Sequence, residues 1–283
     1  MNYRHAFQAG NFADVVKHAV LVRILLHLRT KPAPFHVIDT HAGFGRYDLR
    51  GAEASRSREW REGIGRLIAA PLHDAARALL APYLDAVAAL NDGPGLATYP
   101  GSPALAQAFL RAQDRLIACE LEPNAAAALK RNLTGDRRSK AVAIDGWTAL
   151  NAYVPPRQRR GLVLVDPAFE DPADFVRLAE RLEVAHRKWA SGIYLAWYPI
   201  KDRKPPEMLA RRLRKSGVAK ILRVEFSVAA PRDDGPLRAC GLIAINPPWA
   251  LEREVQIMLP ELAAILSGNG CGTHRLDWLA GEA

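Results

Sequence analysis

The tetrapeptide Asp166-Pro167-Ala168-Phe169 closes an apolar run, Leu162 to Val165, and gathers three groups that could act on an amine. The exocyclic amine of a purine is a poor nucleophile because its lone pair is delocalised into the ring. A carboxylate accepting one N–H and a backbone carbonyl accepting the other draw the nitrogen toward tetrahedral geometry and free that lone pair. Asp166 supplies the carboxylate, Pro167 the carbonyl, and Phe169 an aromatic face on which a base can stack, worth roughly 1–3 kcal/mol. Ala168 stands where a second proline would hold φ near −65°. Alanine can adopt that angle without enforcing it, a loss of pre-organisation of about 0.4–1 kcal/mol. That is too little to abolish activity. A rival corner, Asn246-Pro247-Pro248-Trp249, carries the second proline.

Such a corner needs a partner molecule, and the strand ends suggest one. Apolar strands end at Asp39 ("FHVID"), Glu120 ("RLIACE"), Asp145 ("AVAID") and Asp166 ("LVLVD"). One carboxylate at a strand tip is usually a cap or a turn. Four at one edge converge on a single crevice, where an open parallel sheet binds its ligands. The turn after Asp39, "THAGFGRYDL", contains Gly43 and Gly45, which permit close backbone approach. It offers only G-x-G, without the third glycine of the dinucleotide fingerprint. Glu120 is placed to hold two ribose hydroxyls, and Asp145-Gly146 to meet an adenine amino group. Those contacts suit S-adenosylmethionine as readily as NAD, and the incomplete loop favours the methyl donor. Asp166 ends the strand directly after Asp145, whereas Asn246 follows a late strand. The adjacency of strand tips therefore selects Asp166, and Asn246 is expected to end its strand ahead of a turn.

The elements that must position these groups are legible. Asn11 can cap a helix with Asp14 in its first turn. The helix is expected to run to about Leu28, with Val15, Ala19, Val22 and Leu26 on one face. Residues 1–11 read as a tail too poor in apolar side chains to anchor itself, and as a possible lid. Strands then alternate with helical stretches such as "PNAAAALKRNL", which argues for a mainly parallel sheet covered on both faces. Further strands are expected at Gly192–Trp197, Lys220–Val228 and Gly241–Asn246, the last including an antiparallel pair. A strand–helix–strand step takes roughly 30 residues, and the Asp39–Glu120 interval exceeds that by about 50. The surplus, residues 47–99, is rich in Ala, Leu and Arg and reads as an inserted helical subdomain. Residues 12–46 and 100–283 make up the main domain.

The composition is that of a globular chain with an excess of base: 39 Lys and Arg against 30 Asp and Glu, a net charge of +9. A basic surface favours polyanions, nucleic acid foremost. Cys119, Cys240 and Cys271 lack disulfide or zinc-ligand spacing, which points to a reducing compartment and no metal. Asp14, Lys17, His18 and Arg23 interrupt the first apolar run, so neither a signal peptide nor a membrane span is expected. The expectation is a cytoplasmic protein, without membrane association and monomeric.

The segments "YRHAFQAGNFADVVKH", "DTHAGFGRY", "YPGSP", "RRGLVLVDP", "LAWYP" and "INPPW" resemble, in order, the RlmJ-type methyltransferases, which methylate the exocyclic N6 amine of one adenine in 23S ribosomal RNA. They span residues 3 to 249. The resemblance implies a Rossmann-like class I methyltransferase fold, α/β with an inserted helical subdomain, and S-adenosylmethionine as cofactor. It implies that His18, His41, Ser102, Glu120, Asp145 and Gly146 contact the donor, that Asp166 is the catalytic acid, and that Tyr3 meets the RNA. Gly43, in the glycine turn, and Lys17, beside His18, join the donor set on the residues' own reading. Arg4 and His5 join Tyr3 at the substrate, where a base extruded from RNA must be received. Structural readings compete: His18 as a core histidine, Ser102 as the cap of a helix starting at Pro103. Three other functions compete as well. They are a DNA adenine-N6 methyltransferase, a nicotinamide-dependent oxidoreductase, and an RNA-binding protein that has lost its activity.

Overall fold

A computed structural model describes residues 7–93, 95–268 and 270–281. Helix α1 (Phe12–Arg29) starts where expected, its Asn11 side chain accepting the Ala13 and Asp14 amides at 3.0 Å each. It leads to strand β1 (His36–Asp39). A short antiparallel pair, β2 (Arg46–Asp48) and β3 (Thr98–Pro100), then brackets α2 (Ala52–Ser57), α3 (Arg66–Ala69) and α4 (Asp74–Ala88). Next come α5 (Ser102–Phe109), β4 (Arg115–Glu120), α6 (Pro123–Leu133), β5 (Ser139–Ala143), α7 (Gly146–Ala152) and β6 (Gly161–Val165). The chain finishes with α8 (Asp174–Lys188), β7 (Ile193–Pro199), α9 (Lys204–Lys215), β8 (Ile221–Ser227), β9 (Ala239–Ile245), α10 (Leu251–Leu266) and β10 (Thr273–Ala280).

Eight strands form one sheet in the order β10-β8-β9-β7-β6-β1-β4-β5. The Rossmann-like arrangement is present: β5, β4, β1, β6 and β7 are parallel, and β9 runs antiparallel to both β7 and β8. From β1 the chain proceeds to β4 and β5 on one side and to β6 and β7 on the other. The reversal lies between β1 and β6, where the crevice of an open parallel sheet opens at the carboxyl ends. All five residues of β6 are buried, as a parallel strand covered on both faces requires.

Three features depart from expectation. Helix α1 is buried on nearly all sides, because α4, α5 and α10 cover the faces turned away from the sheet. Residues 7–11 are no loose tail. Ala9, Gly10 and Asn11 are buried, and the Gly10 carbonyl accepts the Ile64 amide at 2.8 Å. A Cβ on Gly63 would stand 2.1 Å from that carbonyl, so only glycine lets the two backbones meet. Tyr3, Arg4 and His5 lie outside the described residues. Finally, β10 was not anticipated. It pairs antiparallel with β8, and Asp277 on it grips the buried Arg223 guanidinium through two bonds of 2.9 Å.

Candidate active site

At the β1/β6 reversal the structure holds a cavity of about 450 Å³, within the range of roughly 300–1,000 Å³ for small-molecule sites. Each wall comes from a different element. Lys17 and His18 come from α1, His41 to Phe44 from the loop after β1, Ser102 from the start of α5, Glu120 from the end of β4, and Asp166 and Ala168 from the turn after β6. Asp166 is only 13 % exposed and faces this cavity. A narrow cleft of about 10 Å³, lined by Asn11, Asp14, Lys17 and Trp197, also touches Asp166.

Lys17 ties the two halves of the site together. Its ammonium lies 2.8 Å from Asp14 and 2.5 Å from Asp166. Burial works against its charge, but the two carboxylates outweigh burial and hold its pKa well above the ordinary value. The ammonium therefore stays charged and fixes the Asp166 side chain in the crevice.

Glu120 is fixed just as firmly. Its carboxylate accepts the amides of Gly43, Leu121 and Glu122 at 2.8, 2.8 and 2.9 Å. Gly43 reaches it by adopting φ +58°, and a Cβ there would meet the Tyr47 hydroxyl at 2.2 Å. The glycine turn thus hands its amide to a carboxylate, and the next element is β2 rather than a helix. A pyrophosphate would need both that free amide and a helix N-terminus. The nicotinamide reading lacks its seat.

His41 is neutral and its tautomer follows from its neighbours. Burial lowers its imidazole to about 4. The Thr40 hydroxyl donates to the Leu164 carbonyl at 2.9 Å, so it can only accept from His41 Nδ1 at 2.8 Å. Nε2 is left as an acceptor. His18 lines the cavity and also lies in a buried chain, with Nδ1 2.8 Å from the Tyr99 hydroxyl, itself 2.8 Å from that of Tyr83.

Other expected residues take different roles. Asp145 lies beyond β5, and its carboxylate accepts the amide and hydroxyl of Thr148, capping α7. Neither it nor Gly146 lines the cavity. Gly146 supports the site from behind, since a Cβ there would stand 2.4 Å from both His41 Nε2 and the Thr40 carbonyl. Ser102 is not the cap of α5, because Gly101 occupies that position and Ser102 begins the helix. Its hydroxyl faces Asp39 instead. Pro167 is buried, and neither it nor Phe169 lines the cavity. Phe169 has φ +51° and packs against Phe175 and Trp197 at ring distances of 4.8 and 6.0 Å. Sequence reasoning missed Phe44, Tyr47, Glu53 and Glu122, which also line the wall. Phe44 lies inside the glycine turn and Tyr47 follows it, a signal that was readable.

The rival corner is excluded by direction. Strand β9 runs antiparallel, so Asn246 emerges at the opposite edge of the sheet, beside Gly192 at the start of β7. Its amide donates to the carbonyls of Ala190 and Gly192 at 2.7 and 2.8 Å. It ends its strand, as expected.

Residues 32–280 match the family described as "Ribosomal RNA large subunit methyltransferase D, RlmJ". The chain belongs to the RlmJ family. Two relatives, each named "Ribosomal RNA large subunit methyltransferase J", agree over the full length of both chains. The Haemophilus influenzae protein is 37% identical and the Escherichia coli protein 38%. A crystal structure of a Legionella pneumophila protein is 32% identical with a TM-score of 0.87, covering 95% of this chain and 98% of its own. With this membership the sheet order is that of a class I methyltransferase. A probable spermidine synthase from Corynebacterium glutamicum, 13% identical with a TM-score of 0.51, covers 97% of this chain and 77% of its own and shares the fold alone.

Proposed function

We propose that this RlmJ-family chain transfers the methyl group of S-adenosylmethionine to the N6 amine of one adenine in 23S ribosomal RNA. The observation that carries the reading is Asp166, held by Lys17 on the wall shared by the cavity and the cleft beside Trp197. The residues present suit the donor. Glu120 is positioned in advance for a diol, His18, His41 and Ser102 offer polar contacts, and the glycine turn leaves room where a Cβ would intrude. When bound, the donor supplies an electrophilic methyl carbon.

The chain's own residues prepare the amine. The Asp166 carboxylate accepts one N–H and the Pro167 carbonyl the other, which localises the nitrogen lone pair. Such fixed acceptors act strongly in a site that excludes water. Phe169, braced by Phe175 and Trp197, borders the path of the base. The adenine must leave its stack to reach this depth, at a cost of a few kcal/mol. Tyr3, Arg4 and His5 are taken to receive it. Residues 47–99 act as a helical subdomain over the donor. The protein works as a monomer in the cytoplasm. Among the described residues no helix is long and apolar enough to cross a membrane.

A methyl-transfer assay with radiolabelled donor decides this. Protein-free 23S RNA is expected to be methylated on adenine N6 and to outcompete duplex DNA. Labelling of DNA in preference to RNA would overturn the substrate. Calorimetry is expected to show binding of S-adenosylmethionine and none of NAD.

The glycine turn offers a separate test. Gly43→Ala forces a Cβ onto the Tyr47 hydroxyl and an L-residue into φ +58°, a strain of about 1–2 kcal/mol. The donor Kd is expected to rise about tenfold, with far-UV circular dichroism unchanged. An unaltered Kd would remove the turn from the donor site.

A further inference from the structure

Strand β6 has a cavity at each end. Asp166 follows its last residue, while Gly161, its first, lines a second groove of about 1280 Å³ at the opposite edge of the sheet. At about 3.3 Å per residue the two ends lie roughly 16 Å apart through the protein. The proposed function leaves this groove unused.

Two properties of the groove point to one kind of ligand. The first is Trp249, 88% exposed, on the corner that resembles an amine-holding motif without its chemistry. Asn246 spends its amide on the carbonyls of Ala190 and Gly192, and the Leu251 amide donates to Pro248 at 2.9 Å. The turn is thus hydrogen-bonded on both sides of Trp249, and it projects the indole into solvent. Exposed apolar surface is informative when it gathers in one patch rather than standing singly. Trp278, 40% exposed, lines the same groove.

The second property is charge. Lys31 and Arg159 are exposed in the groove, with no ion-pair partner among the described residues. Among the described residues Arg160 donates to the carbonyls of Ala33 and Leu28 at 2.9 and 2.6 Å and forms no salt bridge; Asp114 offsets part of its charge from a distance. The groove's carboxylate, Glu254, is taken by Arg23 at 2.5 Å. The surplus is felt at His27: burial, then Arg160 and Lys31, lower its imidazole below the ordinary value.

We infer that this groove binds a single-stranded stretch of the substrate RNA away from the target adenine, with its phosphates on Lys31, Arg159 and Arg160 and a base stacked on Trp249. Only an unpaired strand offers an anionic backbone and an accessible flat base together. An acidic protein segment would meet the cations but leave the indole without a planar partner. That the strand belongs to ribosomal RNA rests on the proposed function; the groove's preference for single strands does not.

Two variants test it, Trp249→Ala and the double substitution Lys31→Glu with Arg159→Glu. The probe is a labelled oligoribonucleotide of about 12 nucleotides, a length within single-strand site sizes. Its Kd is expected to rise about tenfold for Trp249→Ala. For the double variant, the dependence of binding on salt should also flatten, as lost phosphate contacts require. The KM for protein-free 23S RNA should rise, with kcat and donor affinity unchanged. Unaltered oligonucleotide Kd and KM in both variants would overturn the inference. So would wild-type protein that ignores the oligonucleotide but self-associates or captures an acidic protein through Trp249. Binding that depends on Trp249 in a protein that methylates no RNA would sustain the groove and refute the proposed substrate.

Discussion

Asp166→Ala is expected to lower kcat for methyl transfer by roughly 10²–10³-fold, the usual effect of deleting one pre-positioned polar group at a reacting centre. The donor Kd should change by less than about tenfold. The asymmetry follows from the site. Glu120, His41 and the glycine turn hold their geometry without Asp166, since their partners are Gly43, Thr40 and neighbouring amides. What disappears is the acceptor for the amine and one of the two anions around Lys17. Lys17 stays buried with Asp14 alone, and breaking a buried pair can cost about 3–5 kcal/mol. A melting curve must therefore accompany the kinetics. Asp166→Asn separates the effects: it keeps an oxygen acceptor while removing the charge, and should retain more activity than alanine. Unchanged transfer in a folded Asp166→Ala protein would move the chemistry elsewhere.

Asp39→Asn is expected to flatten part of the pH dependence of stability. Asp39 is 1% exposed, and among the described residues neither carboxylate oxygen has a hydrogen-bond partner of good geometry. Burial pushes its carboxyl up to about 7; the Ser102 hydroxyl opposes this, Asp166 adds to it, and Lys17 offsets part of it. The folded chain therefore keeps a proton that the unfolded chain sheds near 3.9. The contribution to stability is fully present below about pH 4 and is lost as pH rises to about 7, then stays level. Over that window the loss is about 4 kcal/mol. Denaturant titrations at pH 4 and pH 8 should show the wild type losing this much more stability than Asp39→Asn. Parallel losses in the two proteins would mean that Asp39 is ionised throughout. The buried carboxyl lies beside the crevice, next to Ser102, and strain tolerated at such places commonly serves function.

Much of this architecture could be read from residue order. Parallel strands share one carboxyl edge, so the acidic ends of "FHVID", "RLIACE" and "LVLVD" had to lie together there; Glu120 and Asp166 line the cavity, and Asp39 is buried beside Ser102. Asn11 had to cap α1, because a side-chain acceptor ahead of an apolar run has few other uses. The choice of Asp166 over Asn246 was also reachable from strand adjacency. The RlmJ-like segments pointed to the family before any coordinate.

The rest depended on contacts that leave no local pattern. Lys17 meets Asp166 across 149 positions of chain, and no periodicity signals such a pair. Residues 7–11 looked unanchored because their anchor is the backbone of two glycines, Gly10 and Gly63, which has no side-chain signature. Asp145 read as one more strand-tip group, and only the fold shows that its strand ends two residues before it and that one of its oxygens caps α7. Composition and pattern determine which elements form and which edge they share, because those properties are local or follow from strand direction. Which groups meet within that edge is decided by packing distances of an ångström or two, and only the folded chain sets those.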